Sequence, residues 1–227
     1  MPTSPPFVIR SATDQSDAAF IVASFDASVQ HLSATGNADH WGTQPFSSKP
    51  GFLEETGREV AQSEVFRRTG EGERIRVFIA QAEDDDDGPS AATEDGLHRR
   101  KEEEVGDGQR IKTYIPIGAM TIRDDEFASH INTTDILKPH LQQAKQSSFV
   151  YIDVVLTDFR LAPHKRQGAG AALIQRAKEY ARERGKKSVY YENLGFVPVQ
   201  DYQVVQKTGK IWPARFFRFD LSNDEIE

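Results

Sequence analysis

The chain has 227 residues and no cysteine, so disulfides, thiolate metal sites and a cysteine nucleophile are excluded. Its length suits one domain, since single cores stop growing beyond roughly 250 residues. The net charge of -7 is local: between Glu83 and Arg110 stand 11 Asp and Glu against 4 Lys and Arg, and the remainder is balanced, which gives no sign of a nucleic-acid partner.

The start, MPTSPPFVIR, has neither the basic opening nor the apolar core of a secretory signal. No apolar run approaches the ~20 residues that span a bilayer. A cytoplasmic protein with no membrane partner is expected. Phe7 to Arg10 reads as a short strand. Thr13 or Asp14 can cap a helix whose Ala18, Ile21, Val22, Phe25, Val29 and Leu32 share one face, and Gly36 ends it. Phe52 to Arg68 is a second, less regular helix. Arg74 to Gln81 alternates polar and apolar residues as a strand does, and Tyr114 to Arg123 reads as its hairpin partner. The acidic stretch at 83–110 between them has too little apolar surface to offset its ordering entropy and is expected to be disordered, as an overgrown turn or an interaction tail.

Ser148 to Leu156 is nearly continuously apolar and β-branched, as a strand buried on both faces would be. Gly168 to about Arg184 follows as a helix with Leu173, Ile174, Ala177, Tyr180 and Ala181 at helical spacing, closed by Gly185. Asp201 to Lys207 and Arg215 to Leu221 form a final hairpin through Thr208-Gly209. Strand, two helices, an antiparallel meander, a buried strand, a helix and a hairpin make a mixed α/β domain over residues 1–227, rather than a doubly wound parallel sheet.

The junction between the buried strand and the helix carries the chemistry. Two closely spaced glycines open a helix, so its first backbone N–H groups can crowd onto an anion that the helix dipole favours. Lys165 and Arg166 add two cations beside it. A β-branched side chain at Gly168 or Gly170 is expected to block that approach with little effect on the fold. A P-loop would need Gly-Lys-Ser/Thr where Ala171-Ala172 stand, and the dinucleotide fingerprint would need a third glycine where Leu173 stands. A plain helix start with glycines for packing is the remaining alternative.

Read as Lys165-Arg166-Gln167-Gly168-Ala169-Gly170, the junction resembles the Gln/Arg-x-x-Gly-x-Gly/Ala signature of the GNAT superfamily of acyl-CoA N-acyltransferases. Tyr191 to Phe196 matches a second family segment, Tyr-x-x-x-Gly-Phe, and the element order fits as well. The resemblance implies a mainly antiparallel sheet of about six strands flanked by helices. It implies acetyl-CoA as co-substrate, with its pyrophosphate on Lys165, Arg166, Gln167, Gly168, Ala169, Gly170 and Ala171, and its pantetheine arm beside Val154, Val155 and Leu156. The acetyl group would pass directly to a primary amine of a small molecule or peptide. A backbone N–H near Val155 would polarise the thioester carbonyl, and Tyr191 would protonate the leaving thiolate.

Asp153 interrupts an apolar strand expected to be buried. It is the candidate base, because burial would raise a carboxylate toward neutrality; a hydrogen-bonded structural aspartate is the alternative. His164 is expected at phosphate or solvent, and His31 and His40-Trp41-Gly42 near the substrate side or in simple packing. No metal-ligand spacing is present.

One departure bears on activity. Only Lys186 to Val189 separate Gly185 from Tyr190 and Tyr191, where the family has a strand, a loop and the start of a helix. Either Ser188 to Tyr191 serves as that strand and the helix is lost, or a piece of the family domain is missing. The alternative function is a non-catalytic or impaired acyl-CoA-binding protein.

Overall fold

The computed structural model describes residues 7–38, 41–83, 100–103, 111–191, 197–205 and 211–221. Among the described residues eight strands and six α-helices follow in mixed order, with strand order β1-β2-β4-β5-β6-β8-β7 and β3 paired to β4. Packing divides the chain into two compact units, Met1–Met120 with Val155–Leu173, and Thr121–Val154 with Ile174–Glu227.

In the first unit β1 (Phe7–Ser11) runs antiparallel to β2 (Ile75–Glu83), with Ile9 opposite Ala80. Asp14 caps α1 (Gln15–Ala34), its carboxylate accepting from the Ser16 and Asp17 amides at 2.9 and 3.1 Å. The buried face of α1 is wider than the single stripe expected: Phe20 and Ala27 join Ala18, Ile21, Val22 and Val29, while Phe25 and Leu32 stay half-buried. Phe25 instead packs with Trp41, Phe46 and Phe52, the last opening α2 (Phe52–Thr69).

Strand β2 is buried on both faces from Ile75 to Gln81, although its alternation suggested one wet face. Its polar side chains find partners inside: Gln81 accepts from Arg10 Nε at 2.8 Å, and Arg76 donates to Ser11 Oγ at 2.7 Å. Most of the acidic stretch lies outside the described residues. Its Arg100–Glu103, however, forms β3, antiparallel to β4 (Ile111–Asp124) with Glu102 opposite Lys112. Backbone pairing along an extended neighbour does not need apolar side chains.

The second unit holds two helices that the sequence reading missed, α3 (Ser129–Asn132) and α4 (Lys138–Gln146). The trace of α4 in the sequence is slight: Leu141 and Ala144 face the core, Leu137 precedes them, and Pro139 sits in the first turn. Together with Phe127 and Ile131 they cover an aromatic core of Phe149, Tyr151, Tyr190, Tyr202 and Phe216. Phe127 stacks on Phe149 at 4.3 Å, and Tyr190 on Phe216 at 5.1 Å.

Strand β5 (Phe149–Thr157) pairs parallel with β6 (Ser188–Tyr191), Phe149 opposite Ser188 and Tyr151 opposite Tyr190. Strand β8 (Ile211–Asp220) lies antiparallel to β6 and to β7 (Val197–Val205), longer strands than the terminal hairpin expected. The expected turn at Thr208-Gly209 lies outside the described residues. The shortened segment is thus a strand, entered directly from α6 (Ala169–Glu183) through Gly185.

At the end of β4 in this unit sits a buried charge cluster. Asp124 is 1% exposed, accepts from Tyr180 Oη at 3.2 Å, and has Lys186 Nζ and Arg184 Nε at 3.6 and 3.7 Å. Its Oδ1 has no hydrogen-bond partner among the described residues. Asp125 accepts from the Phe149 amide at 2.8 Å and from Lys186 at 2.7 Å. Burial pushes the Asp124 carboxyl above its usual range, and the two cations offset this only in part. A raised folded-state value favours folding at acid pH and is a liability above it. Asp124→Asn is therefore expected to leave the thermal midpoint unchanged or higher at pH 7, with the advantage shrinking as the pH falls toward the ordinary carboxylate range. Thermal melts of both proteins across pH 4–8 check this; a midpoint lowered by the substitution at pH 7 would mean that the ion pairs outweigh burial.

Candidate functional site

The loop after β5 is built within the first unit. The Asp158 amide donates to Ile117 O at 2.9 Å, which carries the strand edge one residue past Thr157. Gly118 of β4 permits that approach, because a Cβ there would stand 2.7 Å from Leu156 O. The fully buried Asp158 carboxylate then closes the turn, accepting from the Arg160 amide at 3.0 Å and its Nη2 at 2.7 Å. One helical turn follows, α5 (Pro163–Arg166).

Gln167 is extended and Gly168 takes φ +90°, which turns the chain into α6. The first bond inside that helix runs from the Ala172 amide to Gly168 O at 2.9 Å, so the amides of Ala169, Gly170 and Ala171 precede it without intrahelical acceptors. From Phe159 to Lys178 the chain has no Asp or Glu but has Arg160, Lys165, Arg166, Arg176 and Lys178. Lys165, Gln167, Gly168 and Ala171 are exposed, Arg166 and Gly170 half-buried, and Ala169 buried. The loop thus brings the start of a helix together with Lys165 and Arg166, a combination suited to an anion.

Two glycines that look alike in sequence differ here. A Cβ on Gly168 would meet Phe7 Cε2 at 3.3 Å in a backbone conformation that L-residues rarely adopt, so substitution there strains the fold as well as the site. A Cβ on Gly170 would sit 3.8 Å from Thr157 Cγ2, an ordinary contact.

Beyond the loop, β5 continues to Thr157 although β6 ends at Tyr191, with Tyr151 opposite Tyr190. On that stretch Asp153, Val154 and Val155 are half-buried and Leu156 is buried. Asp153 is half-buried, its side chain 21% exposed, and its Oδ2 accepts from Arg123 Nε at 2.8 Å. The partner lies on β4, too distant in sequence for spacing to reveal it. Tyr191 is half-buried on β6, opposite Phe217 of β8. Tyr190 is a core residue whose phenol burial pushes up.

Glu192 to Phe196, which complete the second family segment, lie outside the described residues, as does His40. Trp41 packs 5.4 Å from Phe25, and the Lys49 ammonium sits 3.2 Å from the Phe46 ring centre. His164 is exposed on α5. His31 stacks on Phe159 at 4.0 Å, a contact between α1 and the loop that no local pattern announced. Among the described residues no group of three His, Asp or Glu could hold a metal, and no helix is long and apolar enough to cross a membrane.

No family model matches the chain, and no curated protein does. Solved structures do resemble it. FeeM, an N-acyl amino acid synthase from uncultured soil microbes, aligns at 13% identity and TM-score 0.46 over 97% of this chain and 93% of its own. Arabidopsis thaliana NAA60 in complex with acetyl-CoA aligns at 13% identity and TM-score 0.49, over 96% and 99%. The Drosophila melanogaster polyamine N-acetyltransferase, which forms N-acetylagmatine, aligns at 10% identity and TM-score 0.46, over 95% and 100%. These are distant likenesses.

Proposed function

We propose that this chain is a GNAT-type N-acyltransferase that moves an acetyl group from acetyl-CoA to a primary amine in the cytoplasm. The observation that carries the reading is the β5–α5–α6 junction, where positive-φ Gly168 turns the chain into α6 and leaves the amides of Ala169, Gly170 and Ala171 without intrahelical acceptors, next to Lys165 and Arg166. A pyrophosphate fits that chemistry. Val154, Val155 and Leu156 lie beyond the last β5 residue paired with β6 among the described residues, and such a strand edge is suited to an amide-bearing arm.

The transfer forms a C–N bond and breaks a C–S bond, so three tasks fall to this chain. The Val155 N–H is proposed to polarise the carbonyl. Asp153, paired with Arg123, would take the ammonium proton through water. Tyr191 would protonate the leaving thiolate. That the acceptor is an amine, small or peptidic, follows from the family resemblance and accords with the polyamine N-acetyltransferase among the similar structures.

A second reading, an acyl-CoA binder without turnover, is favoured by one observation. Strand β6 absorbs Ser188–Tyr191, so no helix stands between α6 and the tyrosines. Thermal shift with acetyl-CoA, coupled to thiol release over a panel of amines, separates the readings. Release at ordinary enzyme rates, slowed sharply in Tyr191→Phe, supports the transferase. Protection without release supports the binder, and no protection overturns both.

A further inference from the structure

Four half-buried aromatic rings meet in the first unit, where the link between α1 and α2 packs on both helices. Phe46 lies among them, with Phe25 at 4.7 Å, Phe52 at 4.9 Å and Trp41 at 5.8 Å between ring centres. The face of Phe46 carries the Lys49 ammonium, 3.2 Å from the ring centre. Asp26, next to Phe25 in the chain, accepts from the Ser47 amide at 3.1 Å and attracts that ammonium. The contact has a local cause. Phe46–Ser48 is a 3₁₀ turn closed by the Lys49 amide on Phe46 O at 3.0 Å, and such a turn sets residues i and i+3 one above the other. Chain geometry therefore delivers the lysine to the ring.

The lysine is poorly matched to the place it is given. Burial lowers its amine below the ordinary value, and the opposing pull of Asp26 does not make up the difference. A lysine ammonium is compact and strongly hydrated, so it loses much on leaving water. An alkylated ammonium spreads the same charge over its methyl groups, gives up less hydration and gains the ring face. We propose that the Phe46 face and the Asp26 carboxylate form a binding site for an alkylated ammonium ion, which Lys49 fills as a tethered, displaceable occupant. The tether keeps the lysine at high local concentration in spite of its poor match, so a ligand binds only by lifting it away. Phe25, Trp41 and Phe52 hold Phe46 in position. The site stands on the α1–α2 link and does not depend on what binds at the β5–α6 junction.

Backbone spectra of the ¹⁵N-labelled full chain, titrated with tetramethylammonium, methylammonium or tert-butanol, test this. Tetramethylammonium is expected to shift the Ser47 amide saturably and to bind about tenfold more tightly than methylammonium. The neutral, similarly shaped tert-butanol is expected to leave that amide unmoved. Lys49→Ala should tighten tetramethylammonium about tenfold, because the resident cation is gone. Phe46→Leu should lose it. Equal binding of the alcohol would reduce the site to an apolar crevice, and equal binding of methylammonium would remove the preference for alkylated charge; either overturns the proposal. So does a Lys49→Ala protein that binds no more tightly than wild type, which would leave the lysine as a simple cover for the ring. Absence of shifts in both wild type and Lys49→Ala overturns it as well, and none of these outcomes requires the Phe46 variant to fold. Binding retained in a folded Phe46→Leu protein would place the cation elsewhere and overturn it too.

Discussion

Gly168→Val is expected to abolish acetyl-CoA binding and lower stability together, whereas Gly170→Ala should leave the fold intact. At φ +90° an L-residue stores about 1–3 kcal/mol of backbone strain, and the new Cβ would press on Phe7 at 3.3 Å. Relief of either disturbs the start of α6. A loss of a hundredfold or more in affinity, about 2.7 kcal/mol, is expected by calorimetry. In Gly170→Ala the methyl group meets only Thr157 at 3.8 Å, and alanine in a helix gains about 0.5–1 kcal/mol over glycine. A Gly168→Val protein that binds and melts like wild type would show that the turn is not strained and not the anion site.

Phe149→Ala is expected to cost about 3–5 kcal/mol of stability, the largest effect of a single truncation in the second unit. The ring is fully buried, stacked on Phe127 at 4.3 Å and edge-on to Tyr190 at 5.4 Å, and its backbone is fixed by Asp125 and by pairing with Ser188. With the backbone pinned on both sides, the aromatic cluster cannot collapse into the space left behind. A denaturant midpoint shift at unchanged slope reads the loss directly. A cost below about 1 kcal/mol would mean that the cluster repacks freely.

What the sequence disclosed, and what it hid, follows from range. The β5 run and the α6 periodicity are local patterns, and both elements appear within a residue or two of their expected ends. The Gly168 turn was legible for the same reason. Helix α4 was not, because only Leu141 and Ala144 of its nine residues are buried and the rest read as loop. Strand β2 looked half-wet because Arg76 and Gln81 are polar, yet their partners Ser11 and Arg10 come from β1, far away in sequence.

The candidate site divides the same way. Lys165 to Ala171 could be read as an anion loop from spacing alone. The partner of Asp153, Arg123, lies 30 residues earlier, so no local pattern pairs the two. The stacking of His31 on Phe159 joins α1 to the loop and has no local signature at all. The shortened Gly185–Tyr191 stretch was resolvable in advance into a strand, because four residues between helix and tyrosines leave room for little else.

The most direct test of the account is to follow backbone amide resonances of the ¹⁵N-labelled protein during titration with acetyl-CoA. Saturable shifts largest at Gly168, Ala169, Gly170 and Ala171, with a common dissociation constant, are what the α6 amide cradle predicts. Saturable binding that leaves those four amides unmoved, or no binding at millimolar acetyl-CoA, would contradict it.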